Sequence, residues 1–235
     1  MQVRENGNES GCIFMTSEQV IANLKGFASA QGVEGMARFG IRPAQALGVS
    51  IPILRRMAKE IGKNHTLALD LWDSGIHEAR ILASMIAEPR LVSVEQMEDW
   101  VNAFDSWDVC DQVCGNLFDK TPYAYEKAVE WCQQEKEFVR RAGFVMMAEL
   151  AVHDKKAPDE AFLQFFPLIK RYADDERNFV KKAVNWALRQ IGKRNSHLRV
   201  LALECAYDIK NKDSRTAQWV AKDAIKELQA KEQGL

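Results

Sequence analysis

Trp107 and Asp111 stand four residues apart in Phe104-Asp-Ser-Trp-Asp-Val-Cys-Asp-Gln-Val113. That spacing puts both on one face of a helix opened by Asp105 or Ser106. An indole face is negative at its centre and a carboxylate carries a full charge, so the pair could hold a cationic group. The plainer alternative is a buried tryptophan beside a surface aspartate, and these residues by themselves favour it. Asp108 falls on another face, in the first turn, where a carboxylate suits the helix dipole. Other chemistry finds little support. His65, His77, His153 and His197 are scattered without HExxH or similar spacing, so no metal site is expected. P-loop, GxGxxG and GxSxG patterns are absent, so no cofactor is expected. The five cysteines form no CxxC pair; Cys110 and Cys114, one turn apart, match zinc spacings poorly and read with the rest as reduced, buried thiols.

Helices must position these residues, because the pattern is helical almost throughout and no period-two stretch is flanked by hairpin turns. The expected helices are 17–29, 51–61, 65–73, 76–87, 94–104, 106–118, 122–134, 136–151, 158–173, 176–193, 197–208 and 214–230. Thr16-Ser-Glu-Gln19 and Ser93-Val-Glu-Gln96 read as capping boxes, and Thr121-Pro122 as a cap followed by proline at the first helical position. Ser50, Ser106, Ser196 and Asp213 are further candidate caps. Gly62, Glu88-Pro89 and the stretch from Gly192 to Asn195 read as stops. Pro167 should kink or split its helix.

Weak repetition runs through these helices. Val139-Arg-Arg-Ala142 resembles Val180-Lys-Lys-Ala183 at an offset of 41, and WVAKDAIKEL from Trp219 follows about 40 further on. A period near 40 matches armadillo and HEAT repeats. The expected fold is therefore all-α, a curved superhelical stack of antiparallel helix pairs with a concave surface. In each echo the alanine should pack inward and the basic pair should reach a surface.

Composition sets the outer bounds. The 235 residues carry 33 acidic and 32 basic side chains, with 47% hydrophobic, which excludes bulk disorder. No run of 18 apolar residues suggests a membrane span, and the polar MQVRENGNESGCIF has no signal-peptide core. One domain over residues 16–235, a disordered leader over 1–15, a cytoplasmic location and a monomer are expected. Charge is uneven: residues 136–199 hold fourteen Lys/Arg against eight Asp/Glu. Aligned by a solenoid, these could form a basic stripe for a phosphate backbone; a solvated charged face explains them nearly as well.

WDVCD, RRAGF and KKAVNWALRQIGKRN, with MARFGI, LGVSIPILRRMAKEI and LWDSGIHEARILA upstream, together resemble the DNA alkylation-repair glycosylases of the AlkD type. The resemblance spans roughly residues 36–200. It implies a curved stack of HEAT-like repeats that excises cationic N3- and N7-alkylpurines from duplex DNA without flipping the base. By the same resemblance Asp111 takes the place of the catalytic carboxylate, and Trp107 and Trp186 those of two active-site tryptophans. Arg141 matches an arginine that holds the DNA backbone beside the lesion. Arg189 and Lys182 would meet phosphate, and Ser50 and Phe39 fall at DNA-contacting positions. The competing expectation is a non-catalytic HEAT-repeat scaffold for a protein partner or unusual DNA, which the net charge of −1 favours.

Overall fold

Local chemistry decides most of the helix starts in the computed structural model, which describes residues 15–232. Thr16 and Gln19 cap one another reciprocally to open α1 (Ser17–Gly26). Ser50, followed by Pro52, occupies the N-cap position of α3 (Ile51–Ile61). Asn64 caps α4 (His65–Asp73), α5 (His77–Ile86) follows Ile76, and Ser93 caps α6 (Val94–Asn102) through the Gln96 N–H. Ser106 stands before α7 (Trp107–Asn116) without a side-chain capping bond. Beyond it run α8 (Ala124–Trp131), α9 (Glu137–His153), α10 (Glu160–Leu163), α11 (Phe165–Tyr172), α12 (Asn178–Lys193), α13 (Ser196–Lys210) and α14 (Arg215–Glu232).

Several local expectations need correction. Thr121-Pro122 opens no helix: the Thr121 hydroxyl donates to the Phe118 carbonyl at 2.8 Å in a 3-10 turn, and α8 starts at Ala124. Asn195 caps α13 in place of Ser196, and Ser214 accepts the Ala217 N–H at the start of α14 in place of Asp213. The helix expected over 158–173 is split, with Pro167 in the first turn of α11, where an N–H has no intrahelical partner. One helix was not expected at all: α2 (Ala30–Arg38), capped by Ser29. The expected leader lies outside the described residues except for Met15, which packs on the core.

Packing arranges the helices in two rows. An inner row runs α3, α5, α7, α9, α12, α14, each member packed on the next. An outer row covers it, α4 on α5, α8 on α9, α11 on α12, and α13 across α12 and α14. No strand occurs among the described residues, and the architecture is an all-α stack of helix pairs of HEAT/armadillo type. Eleven of the 17 residues of α9 are buried, which makes it the middle of the stack. Trp72 and Trp100 stack at 4.0 Å in the first half of the core, joined through Phe118 to Trp131.

Ala142 and Ala183 are both buried, as the repeat predicted, but their basic neighbours divide. Lys182 is exposed, whereas Arg140 and Arg141 turn into ion pairs with Asp175 and Asp111.

Candidate active site

The inner row brings Trp107 and Asp111 from α7 to the same place as Trp186 from α12. With Ser50 at the head of α3 they line a cavity of about 510 Å³. Tryptophan and carboxylate thus face a common space, so the plainer reading of Trp107 does not describe it. Trp107 is fixed at its rim by its indole N–H, which donates to the Phe39 carbonyl at 3.0 Å. The Phe39 ring itself is 71% exposed and does not line the cavity.

Arg141 does not stand where a phosphate-binding arginine was expected. Its residue is 5% exposed. Nε and Nη2 donate to the two Asp111 oxygens at 2.9 and 2.8 Å, and Nη1 donates to the Phe179 carbonyl. This bidentate geometry fixes the carboxylate plane. Burial pushes the Asp111 carboxyl above the ordinary carboxylate range, and the Arg141 guanidinium pulls it back. Burial works against the Arg141 charge too, but Asp111 holds that group above its ordinary value. Each partner favours the charged form of the other, against burial.

Arg189, one turn beyond Trp186, was expected at a phosphate and is instead paired with Glu227 and, at 3.7 Å, with Asp223 of α14. Lys182 remains on the exposed face of α12, and Ser50 is exposed at the cavity wall.

Several cavity residues escaped the sequence reading. His77 of α5 bonds Asp108 Oδ2 through Nε2 at 2.8 Å, so Asp108 serves a cross-helix contact as well as the helix dipole. Glu78 is buried, and its carboxylate accepts the N–H groups of Leu47, Gly48 and Val49, closest at 2.6 Å to Gly48. It therefore holds the segment that delivers Ser50. Glu149 lies two turns after Arg141 on the same face of α9 and lines the cavity with Asp111. Burial pushes its carboxyl up to about 7; His153 and Lys120 act against that rise, while Asp119 and Asp111 add to it. The only sequence signal for Glu149 was a lone carboxylate in the apolar run Gly143–Leu150.

Behind Glu149, His153 Nδ1 lies 2.5 Å from Asp119 Oδ2 and 3.6 Å from Glu149 Oε2. The donor atoms of these three residues fall within 4.8 Å of one another. Lys120 Nζ already supplies a cation 2.8 Å from Asp119 Oδ1.

A HEAT-like stack whose inner row brings a part-buried carboxylate and two tryptophans to one cavity defines the class: a helical-repeat protein with an acidic, aromatic site. The particular family follows from comparison. The family model described as DNA alkylation repair enzyme matches residues 20–228, and the chain belongs to that family. An uncharacterized protein of Listeria innocua serovar 6a is 26% identical over 159 residues, 67% of each chain. A solved structure is described as a new family of proteins related to the HEAT-like repeat DNA glycosylases with affinity for branched DNA structures. It aligns at a TM-score of 0.74 and 19% identity, covering 89% of this chain and 94% of its own, and shows the shared fold. A designed armadillo repeat protein aligns at 0.43 and 14% identity over 91% of this chain and 94% of its own. Family membership carries a DNA-repair role. No helix among the described residues is long and apolar enough to cross a membrane.

Proposed function

We propose that the protein is a DNA glycosylase that hydrolyses the N-glycosidic bond of cationic N3- and N7-alkylpurines, such as 3-methyladenine and 7-methylguanine, in duplex DNA. One observation carries this reading: an Arg141-fixed Asp111 carboxylate lines a single cavity with Trp107 and Trp186. Alkylation leaves the purine positively charged, so it departs as a neutral base without a strong acid. The positive charge that develops lies on the sugar, where a preorganised carboxylate stabilises it. The indole faces add cation–π attraction to the same charge. None of this requires the base to leave the helix. Arg141 orients Asp111, while Lys182 and Ser50 meet the DNA backbone. The protein works in this way as a monomeric single domain over residues 16–235; the free, buried thiols of Cys110, Cys114, Cys132 and Cys205 support a reducing, cytoplasmic setting.

Release of free base from a duplex bearing one N7-methylguanine tests the reading. The native chain should release it, and Asp111→Asn should lower the rate by roughly 100-fold or more. No release from N7-methylguanine or N3-methyladenine duplexes would sink the enzyme reading. The second reading, a non-catalytic HEAT-repeat binder of unusual DNA, is favoured by the internal pairing of Arg189 with Glu227. It predicts tight binding to a branched junction with no effect of Asp111→Asn.

A further inference from the structure

We propose that Glu149 is the general base of this cavity, taking the proton of the attacking water while Asp111 serves as the fixed negative charge. The inference rests on the glycosylase reading and assigns that reaction's proton.

Hydrolysis requires an acceptor. The bond from C1′ to the purine nitrogen breaks, and its electron pair neutralises the departing cationic base. The water oxygen bonds to C1′, and one proton must leave it. Asp111 is a poor destination: both its oxygens accept hydrogen bonds from Arg141, at 2.9 and 2.8 Å. Protonating it would break a buried ion pair and strand the guanidinium. Glu149 comes from the next inner helix to the wall of the same cavity, and among the described residues no arginine pairs with its carboxylate.

The fold makes room for that carboxylate. A Cβ at Gly115 of α7 would fall 2.7 Å from Glu149 Oε1, so any larger residue there would displace it. A route outward also exists. Glu149 lines the cavity itself, so it can return the proton to cavity water once the base has left; His153 Nδ1, 3.6 Å from Glu149 Oε2, is bonded to Asp119 and acts on Glu149 through its charge alone. The titratable groups that face Glu149 are Asp111 of α7, Asp119 and Lys120 of the 3-10 turn and His153 on its own helix, with the buried, neutral Cys114 thiol of α7 beside them. Their sum, with burial foremost, brings the carboxyl to about 7, where a base is best matched to neutral solution.

Single-turnover release of N7-methylguanine from duplex DNA, followed between about pH 5.5 and pH 9, tests this. Native, Glu149→Gln and Glu149→Asp chains are compared, with affinity for the same duplex measured in parallel. The native rate should rise with pH through about 7 and level off. Glu149→Gln should be slower by roughly 100-fold at pH 8, with a flat profile and affinity within about twofold of native. Glu149→Asp should recover part of the rate and keep a rising limb. A Glu149→Gln chain with the native rate and profile would overturn the proposal and leave the glycosylase reading standing. So would a slow variant that keeps the native rising limb. Should Glu149→Gln fail to fold, a Glu149→Asp profile lacking the rising limb overturns it. No release by the native chain overturns both readings together.

Discussion

Among the described residues, Arg141 and Asp111 form an ion pair only with each other, which makes the pair costly to break. Arg141→Ala leaves a carboxylate buried and unpaired, and a loss of about 3–5 kcal/mol is expected in urea unfolding at neutral pH. Arg141→Lys should recover only part of this, because an ammonium cannot bond both oxygens in the plane that the guanidinium fork matches. Glu149 gives the opposite sign. Its folded carboxyl titrates at about 7 against an ordinary 4.5. The folded state therefore binds this proton more tightly than the unfolded state. Stability linked to Glu149 is fully present below about 4.5 and is lost as pH rises through about 7. Glu149→Gln removes the charged form, so it should raise stability at pH 8, on the order of 1–2 kcal/mol, and change little at pH 4.5. Paired urea titrations at the two pH values read this directly; a gain at pH 4.5 equal to that at pH 8 would contradict it.

At the scale of elements, α2 and the segment it covers show where local pattern stops deciding structure. The helix has two glycines in nine residues, which weaken its local helical signal, and none of its residues is buried. Its order comes from a contact outside its own sequence: a Cβ at Gly32 would meet the Gly48 carbonyl oxygen at 2.2 Å, and the Ser29 N–H bonds the Leu47 carbonyl. Gly48 has φ +76 and backbone on the side where a Cβ would point, with Ser29 O at 2.2 Å. Gly48→Ala should therefore detach α2 from the Ser50 segment. A cost of about 2–4 kcal/mol is expected, with faster amide exchange across residues 30–50. Gly62→Ala is the comparison: its surroundings are open, so only the backbone cost of φ 75, ψ −164 applies, about 1–3 kcal/mol, and exchange across residues 30–50 should stay native. Most of the other helices were legible because caps such as Thr16 and Ser93 and apolar faces announce them locally. Trp107, Asp111 and Trp186 were legible as a set through resemblance. The Arg141–Asp111 bond and the place of Glu149 were not, because they join residues 30 or more positions apart on helices that meet only when stacked.

Across the whole molecule, about half of the basic residues of 136–199 are engaged by the protein itself, and much of that half ties one repeat to the next. Arg140 reaches Asp175, Lys170 reaches Asp208, and Arg189 with Lys193 reaches Glu227. Arg177 donates to the Glu135 carbonyl, and Arg194 to those of Ala151, Asp154 and Ala157. Each tie spans 34–43 residues, close to one repeat period, so recurrence of basic residues at equivalent positions follows from stacking as much as from any ligand. Asp175 shows how such a tie responds to pH. Burial alone would raise its carboxyl, but hydrogen bonds from Arg177 and Arg140 hold it below the ordinary range, so this stabilisation is lost only in acid. On the inner helices α9 and α12 this leaves Lys181 and Lys182 as the basic residues without an ion-pair partner among the described residues, while Lys155, Lys156 and Arg171 are exposed elsewhere. Among the described residues, Lys182 is exposed on α12 without an ion-pair partner. Binding to duplex DNA should therefore weaken only gently with salt, with a log–log slope near −2 to −3, corresponding to about three phosphates. Lys182→Ala should reduce that slope by about 1 for all sequences alike, measured by fluorescence anisotropy over a salt series. A slope of about −6 or steeper would mean that the arginine ties open on DNA and release their guanidinium groups to the backbone. In that event Arg189→Ala, silent under the closed arrangement, should itself flatten the slope.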